Sequence, residues 1–291
     1  MILVIVGPTG VGKTKLSVEL AKRFNAEIIN ADSMQVYKEL NIGTAKVKED
    51  EKEGVPHHLF DIVNPSDLYT VYDYQRDCRS KIDELQKNNK NIILVGGTGL
   101  YIKAALYDYR FDQETVKNDY ESLTNEELLS KLKTSNKDIK IDENNRRRLI
   151  RALEKIDNNS EFTNNSNIKM YSFITIGLTT ERENLYDKIN KRVDIMIKEG
   201  LLDEVKSLYD RNITGKAINT GIGYKELYSY FKGDISLDEA IDDIKKNSRH
   251  YAKRQYTFFN NQMDVKWFNT NYENFNKTVD EVYKYVKSLQ Q

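Results

Sequence analysis

Cysteine is almost missing from this chain: Cys78 is the only one in 291 residues. A single thiol excludes an intramolecular disulfide framework and any cysteine-based zinc site. Proline is scarce as well, with three residues, and that scarcity carries no functional implication. Net charge is absent, because 45 Lys and Arg balance 45 Asp and Glu. No global basic field therefore marks a nucleic-acid binder, and any such site must come from local clusters. Long apolar runs are lacking too. The longest, Ile2 to Val6, is far too short for a membrane span or a signal peptide, and the expected location is the cytoplasm. What is present suits a folded chain: 39% of residues are hydrophobic, with aromatic and β-branched side chains throughout. The length accommodates one large α/β domain, or a core carrying an insertion, and a monomer is the default expectation.

The run Ile2-Leu3-Val4-Ile5-Val6 reads as a parallel strand buried on both faces. A glycine-rich loop follows, and Lys13 to Phe24 reads as a helix with Leu16, Leu20 and Phe24 on one stripe. A second strand is expected at Glu27 to Asn30 and a third at Asn91 to Val95, with a helix at Val71 to Lys87 between them and another at Leu100 to Tyr107. Residues 40–68 look irregular. Alternating strands and helices predict a parallel sheet covered on both faces. From about Arg110 to Lys169 only helical signals occur, notably Asn125 to Lys133 and Asp142 to Ile156, whereas Tyr171 to Leu178 is strand-like again. The simplest organisation is a core of residues 1–109 and 170–291 interrupted by a helical insertion, 110–169. Asn158 to Asn167 is polar and of low complexity, hence a loop. Beyond it the chain is mostly helical, with Arg182 to Lys198, Leu237 to Asn260 and Thr278 to Leu289 as candidates.

Gly7-Pro8-Thr9-Gly10-Val11-Gly12-Lys13-Thr14 fits the P-loop pattern in the context that pattern requires, after a strand and opening a helix. Glycines let backbone N–H groups converge on phosphate oxygens, and the helix N-terminus adds positive potential. Lys13 contributes a full charge, and the Thr14 hydroxyl is placed to ligate Mg²⁺. Gly7, Thr9, Gly10, Val11, Gly12, Lys13 and Thr14 are thus the candidate diphosphate-binding residues; what is done to the phosphate stays open here. Asp32 follows the second strand and Thr98 the third, where a parallel sheet presents its ligands. A carboxylate there can act as a general base, or as a helix cap or turn residue; Thr98 can equally be a turn former. A hydrolytic P-loop NTPase usually holds Mg²⁺ with an Asp ending a hydrophobic strand. Here the comparable strand runs into Gly96-Gly97-Thr98, which favours a compact transferase over a motor or switch. Adjacent His57 and His58 point apart on a strand, and nothing nearby completes a metal site, so hydrogen-bonding roles are expected. Cys78 is expected to pack.

These words resemble the tRNA dimethylallyltransferase (isopentenyltransferase) family. Besides the P-loop they include Asp32-Ser33-Met34-Gln35-Val36-Tyr37, Ile42-Gly43-Thr44-Ala45-Lys46, Pro56-His57-His58-Leu59-x-Asp61 and Gly96-Gly97-Thr98-Gly99-Leu100-Tyr101. Further along come Arg148-x-x-Arg151-Ala152-Leu153-Glu154, Gly223-Tyr224-Lys225-Glu226 and Tyr251-Ala252-Lys253-Arg254-Gln255. They span nearly the whole chain in the family's order, and jointly they are highly specific. The resemblance implies a P-loop NTPase-like α/β core with a helical insertion that embraces the anticodon stem. It implies transfer of a dimethylallyl group from dimethylallyl diphosphate to N6 of adenine 37, beside the tRNA anticodon. Lys13 and the rest of the P-loop, with Mg²⁺, would grip the diphosphate as a leaving group, so that ATP is not the substrate. Asp32 would take the adenine amino proton, and Thr98 would contact the reaction centre and the RNA. Ser33, Met34 and Gln35 would line the tRNA contact. Positive charge for RNA would come from Arg147, Arg148 and Arg151 beside Arg146, and from Lys253 and Arg254 near Arg249; such runs are also ordinary solvated helix faces. Tyr251 and Tyr256 could stack bases or pack.

The chain departs from the family's usual pattern at Phe258, where Trp is common, and at Thr220, where Gln or Arg often stands. The first departure is expected to alter packing; the second puts a diphosphate or channel contact in doubt. The chain looks like the family's shorter bacterial form, for which no zinc-finger extension is expected. Three other readings remain: a small-molecule P-loop kinase, an isopentenyltransferase acting on free adenine nucleotides, and a non-catalytic RNA-binding protein. The Arg-rich helices favour tRNA over a free nucleotide, and the intact Lys13, Thr14 and Asp32 argue against the last.

Overall fold

The computed structural model describes residues 1–111, 119–135, 141–157 and 167–290. Two compact units emerge: residues 1–106 with 169–291, and residues 107–168. Most of the low-complexity stretch 158–167 lies outside the described residues.

The larger unit is built on a six-stranded sheet, ordered β3-β2-β4-β1-β5-β6 and parallel throughout. Its strands are β1 (Ile2–Val6), β2 (Ala26–Asn30), β3 (His57–His58), β4 (Asn91–Val95), β5 (Ile174–Thr179) and β6 (Lys266–Asn269). Every residue of β1 is buried, as an apolar strand covered on both faces must be. Leu3 and Ile5 meet Leu16 and Leu20 of α1 (Lys13–Phe24) and Val279, Val282 and Val286 of the last helix, Phe275–Ser288, in one core. Helix α2 (Val71–Lys87) packs on β4 and on α3 (Gly99–Leu106). Its start is fixed by a capping box, with Thr70 and Asp73 each bonding the other's backbone N–H, which satisfies two otherwise orphaned donors.

In the smaller unit, α4 (Asn125–Ser135) and α5 (Arg146–Asp157) pack on each other through Leu128, Leu132, Leu149 and Leu153. Helix α5 begins four residues later than its hydrophobic pattern suggests. Asp142 to Asn145 form a turn in which Asn144 N–H bonds the Asp142 carboxylate, and Asn145 Oδ1 then accepts Arg148 N–H at 3.2 Å. Short Asx side chains compete with the helix in this way and end up as caps and turns.

After β5 the larger unit continues through α6 (Arg182–Lys198), α7 (Leu201–Asp210), α8 (Lys216–Thr220), α9 (Tyr224–Lys232) and α10 (Leu237–Gln262), before β6 and α11 (Phe275–Ser288). Strand β5 begins at Ile174, three residues beyond the expected start, and Tyr171 instead donates its hydroxyl to Asp83. Within the stretch expected to be irregular, β3 pairs Ile28 with His57 and Ile29 with His58.

Candidate active site

Strands β2, β4 and β1 are direct neighbours, so the loops leaving their C-terminal ends converge on one edge of the sheet. A cavity of about 450 Å³ opens there, lined by the P-loop, Asp32 to Gln35, Gly96 and Gly97, and by residues of α6 and α10. This is where open parallel sheets bind ligands.

The P-loop takes a nest-like form. Gly12 sits at φ 90° as the N-cap of α1 and offers no capping side chain, and no acidic residue occupies the first turn. The N–H groups of Gly10, Val11, Gly12, Lys13 and Thr14 find no acceptor among the described residues, which leaves a row of donors suited to an anion. Thr9 differs: its N–H is taken by Gln255 Oε1 at 3.0 Å, so its backbone is committed to the protein. Lys13 Nζ donates to the Pro8 carbonyl at 2.8 Å. Burial pushes its ammonium down to about 8; the Asp32 charge pulls it up and Arg192 pushes it further down. Gly7, at φ 135°, lies so close to the Leu178 carbonyl that a Cβ would stand 2.5 Å from it; its role is close packing on β5.

Arg192 is a functional candidate that the sequence reading missed. It projects from α6, donates to Thr9 Oγ1 at 3.1 Å and lines the cavity with Lys13. Burial lowers its pKa, and the Asp32 charge opposes that shift. Two cations beside an uncapped helix start suit this end of the cavity to an anion.

Another part of the cavity wall carries Asp32. Its Oδ1 accepts Met34 N–H at 2.9 Å, so Asp32 is both a turn former and a carboxylate facing the cavity. Thr98 Oγ1 accepts Ser33 N–H at 3.0 Å and lies 3.2 Å from Ser33 Oγ, so it steadies the Asp32 turn; the cavity lining takes in Gly96 and Gly97 but not Thr98 itself. Gln35 Nε2 donates to the carbonyls of Thr44 and Ala45. That loop is held by Glu204 of α7, whose carboxylate accepts the N–H groups of Asn41, Ile42 and Gly43 at 2.7–3.1 Å and the Tyr224 hydroxyl at 2.7 Å. Gln255, on α10, links the two walls: besides holding Thr9 N–H it donates to the Gly97 carbonyl at 3.0 Å. A Cβ at Gly97 would meet Gln255 Nε2 at 2.1 Å, so this approach requires glycine.

The remaining sequence candidates divide. Tyr251 and Arg254 line the cavity, with the Arg254 guanidinium 5.6 Å from the Tyr251 ring; burial, with the Asp32 charge adding to it, pushes the Tyr251 phenol up to about 12. Lys253 is exposed on the same helix. Tyr256 instead bonds Thr179 and packs near Trp267. Arg249 is tied to Asn190 of α6. Thr220 stands in the cavity wall, its hydroxyl donating back to the Lys216 carbonyl, and Phe258 lies across Gly99. In the smaller unit Arg147, Arg148 and Arg151 are exposed along α5, whereas Arg146 is consumed structurally by the carbonyls of Leu123, Glu121 and Tyr120. His57 bonds the Val55 carbonyl and His58 bonds Glu27; no group of three or more His, Cys, Asp or Glu suited to a metal occurs among the described residues. Cys78 is buried, and burial pushes its thiol up to about 12, which leaves it inert. No helix among the described residues is long and apolar enough to cross a membrane.

Comparison with known proteins gives the chain a family. A family described as IPP transferase matches residues 35–262. The tRNA dimethylallyltransferase of Geobacillus thermodenitrificans is 49% identical over 301 residues, covering 98% of this chain and 96% of that protein. Among solved structures, the full-length tRNA isopentenylpyrophosphate transferase of Bacillus halodurans has a TM-score of 0.79 at 44% identity, covering 99% of this chain and 95% of that one. A eukaryotic dimethylallyltransferase acting on tRNA has a TM-score of 0.82 at 29% identity, covering 97% and 77% respectively. With the family match running through most of the chain and close relatives aligned almost end to end, the chain belongs to the IPP transferase family of tRNA dimethylallyltransferases.

Proposed function

We propose that this enzyme transfers the dimethylallyl group of dimethylallyl diphosphate to N6 of adenine 37, next to the anticodon of tRNA. The observation that carries the reading is one cavity with two unlike walls: unpaired P-loop amides with Lys13 and Arg192 in one, and Asp32 beside Ser33, whose N–H Thr98 holds, in the other. The first wall suits a diphosphate leaving group; the second suits an amine that must lose a proton.

In this reading the amides of Gly10 to Thr14, with Lys13 and Arg192, hold the diphosphate and stabilise the charge it gains as the allylic C–O bond breaks. The adenine amino nitrogen forms the new bond to the allylic carbon, and the C–O electron pair leaves with the diphosphate. Asp32 accepts the amino proton on its carboxylate, through the oxygen not engaged by Met34 N–H. Ile189, Val193 and Met196 of α6 give the cavity an apolar wall for the allylic chain. The donor set also suits Mg²⁺: the exposed Thr14 hydroxyl lines the cavity beside the P-loop amides, and Mg²⁺ commonly pairs few protein ligands with waters and phosphate oxygens. When bound there, it would neutralise diphosphate charge.

Adenine 37 must leave its stack to reach Asp32, as enzymes working on bases require. Ser33, Met34, Gln35 and Thr98 would line its approach, and Lys253, Arg254, Arg147, Arg148 and Arg151 would contact the RNA backbone. The test incubates the enzyme with labelled dimethylallyl diphosphate, Mg²⁺ and either unmodified tRNA or AMP. Label is expected in tRNA at adenine 37 and not in AMP. Label in neither would overturn the assignment, label in AMP alone would make this a free-nucleotide enzyme, and ADP formation from ATP with a small acceptor would make it a kinase.

A further inference from the structure

The P-loop faces the cavity with its N–H groups, so its carbonyls must turn outward, and an outward carbonyl in a buried setting needs a donor. The segment between β6 and α11 supplies two. Thr270, itself buried, donates its hydroxyl to the Val11 carbonyl at 3.0 Å, and the Tyr272 hydroxyl donates to the Gly10 carbonyl at 3.3 Å. Phe275, the first residue of α11, closes over Gly12: a Cβ there would stand 2.7 Å from its ring. Three consecutive P-loop residues are thus gripped from behind by a stretch some 260 positions away in sequence.

The gripping segment is itself anchored. Thr270 N–H bonds the Thr179 carbonyl at the end of β5 at 2.8 Å, and Asn271 N–H bonds Thr278 Oγ1 of α11 at 2.9 Å. Two cations stand over its rings: Lys188 Nζ is 4.5 Å from the centroid of Tyr272, and Lys15 Nζ is 5.2 Å from that of Phe275. A cradle of backbone amides is only as good as the orientation of its peptide planes, because a donor that must reorient when the anion arrives spends binding energy doing so.

We propose that Thr270 and Tyr272 are positioning residues for the diphosphate. They do not touch it; they fix the peptide planes of Gly10 and Val11, so that the following N–H groups, those of Val11 and Gly12, point into the cavity before the ligand binds. The inference rests on the reading that the P-loop holds the diphosphate. The brace acts on that ligand alone, since it reaches neither Asp32 nor Thr98.

The test uses the full-length enzyme with Thr270→Val, which keeps side-chain volume and removes the hydroxyl, Thr270→Ser, which keeps the hydroxyl, and Tyr272→Phe. Measured are KM for dimethylallyl diphosphate, the inhibition constant of inorganic pyrophosphate, KM for tRNA and the melting temperature. Thr270→Val is expected to raise both diphosphate constants about tenfold, the size of one buried hydrogen bond, with KM for tRNA unchanged. Thr270→Ser is expected to stay near the unsubstituted enzyme, and Tyr272→Phe to show a smaller rise of about threefold, in keeping with its longer bond. Diphosphate constants within twofold of the unsubstituted enzyme in Thr270→Val, or an equal rise in KM for tRNA, would overturn the proposal. If Thr270→Val does not fold, Tyr272→Phe decides: a selective rise in the pyrophosphate constant supports the brace and no rise refutes it. Failure of the underlying reading looks different, because the unsubstituted enzyme would then resist pyrophosphate altogether.

Discussion

If Lys13 contacts the diphosphate as proposed, its ammonium gives binding a pH dependence whose sign and size follow from the structure. Burial lowers its pKa from 10.5 to about 8, against the pull of Asp32. In the free enzyme the folded state therefore holds this proton less tightly than the unfolded chain. Between pH 8 and 10.5 the unfolded chain binds more protons, and stability contributed by this group rises with pH across that window. Taken at face value the shift corresponds to about 3 kcal/mol; Lys13 is only partly buried and faces an open cavity, so screening brings our expectation to about 2 kcal/mol. Ligand affinity runs the other way. A bound diphosphate favours the ammonium, so affinity is full below pH 8 and falls as pH rises through it. At pH 9 roughly one enzyme in ten still carries the charge, which predicts binding about tenfold weaker than at pH 7. Isothermal titration with dimethylallyl diphosphate in the absence of RNA measures this directly, because the last phosphate ionisation lies near pH 6 and is complete. Buffers of differing ionisation enthalpy should reveal uptake of roughly half a proton per ligand at pH 8. Lys13→Arg, whose guanidinium stays charged throughout, should bind with a flat profile and no proton uptake. Equal affinity at pH 7 and 9, or the same pH profile in Lys13→Arg, would refute the assignment of Lys13 as a diphosphate-contacting cation.

Three other substitutions probe separate parts of the site. Asp32→Ala should lower single-turnover prenyl transfer by on the order of a hundredfold or more, as for a lost general base, with tRNA affinity by filter binding largely kept; normal turnover would remove Asp32 from that role. Replacing Arg147, Arg148 and Arg151 together by Ala should weaken tRNA binding and flatten its salt dependence, by up to about 0.7–0.9 in log–log slope for each phosphate no longer neutralised; an unaltered slope would return the cluster to a solvated helix face. Glu204→Ala strands three backbone N–H groups and the Tyr224 hydroxyl. It should cost about 2–4 kcal/mol, read as a melting temperature lower by roughly 5–12 °C; an unchanged midpoint would mean that water replaces the carboxylate without penalty.

Much of the larger unit was legible because its elements carry local punctuation. The apolar run of β1 stops at Gly7, Thr70 and Asp73 box the start of α2, and Ser236 with Glu239 does the same for α10. The P-loop, Asp32 and Thr98 were legible as site candidates because each sits directly after a strand. What escaped depends on the fold. Arg192 looks like one more charge on an amphipathic helix, and only tertiary packing brings it to Thr9, 183 positions away. Strand β6 is four residues long, exposed at both ends, and exists through its pairing with β5; its alternation is too short to separate from a loop. Asp142 carried the right period for a helix, yet its side chain closes a turn. Arg146 and Arg147 are adjacent and identical in type, and only the structure separates the one spent on carbonyls from the one left exposed.

The relation between the two walls of the cavity explains how a cradle familiar from nucleotide chemistry can serve alkyl transfer. In phosphoryl transfer the cradle grips the group that moves; in the proposed reading it grips the group that leaves, and the moving carbon has no polar handle of its own. Its distance to the amine must therefore be set by the protein. Gln255 is the one side chain hydrogen-bonded to both walls among the described residues, accepting Thr9 N–H and donating to the Gly97 carbonyl, one residue before Thr98. Its amide ties the diphosphate loop to the strand end that steadies Ser33 and the Asp32 turn. Since small errors in the approach of reacting atoms cost orders of magnitude in rate, a neutral amide that both accepts and donates is well chosen for that place: a carboxylate would repel the proposed diphosphate, and an ammonium or guanidinium would leave Thr9 N–H without an acceptor.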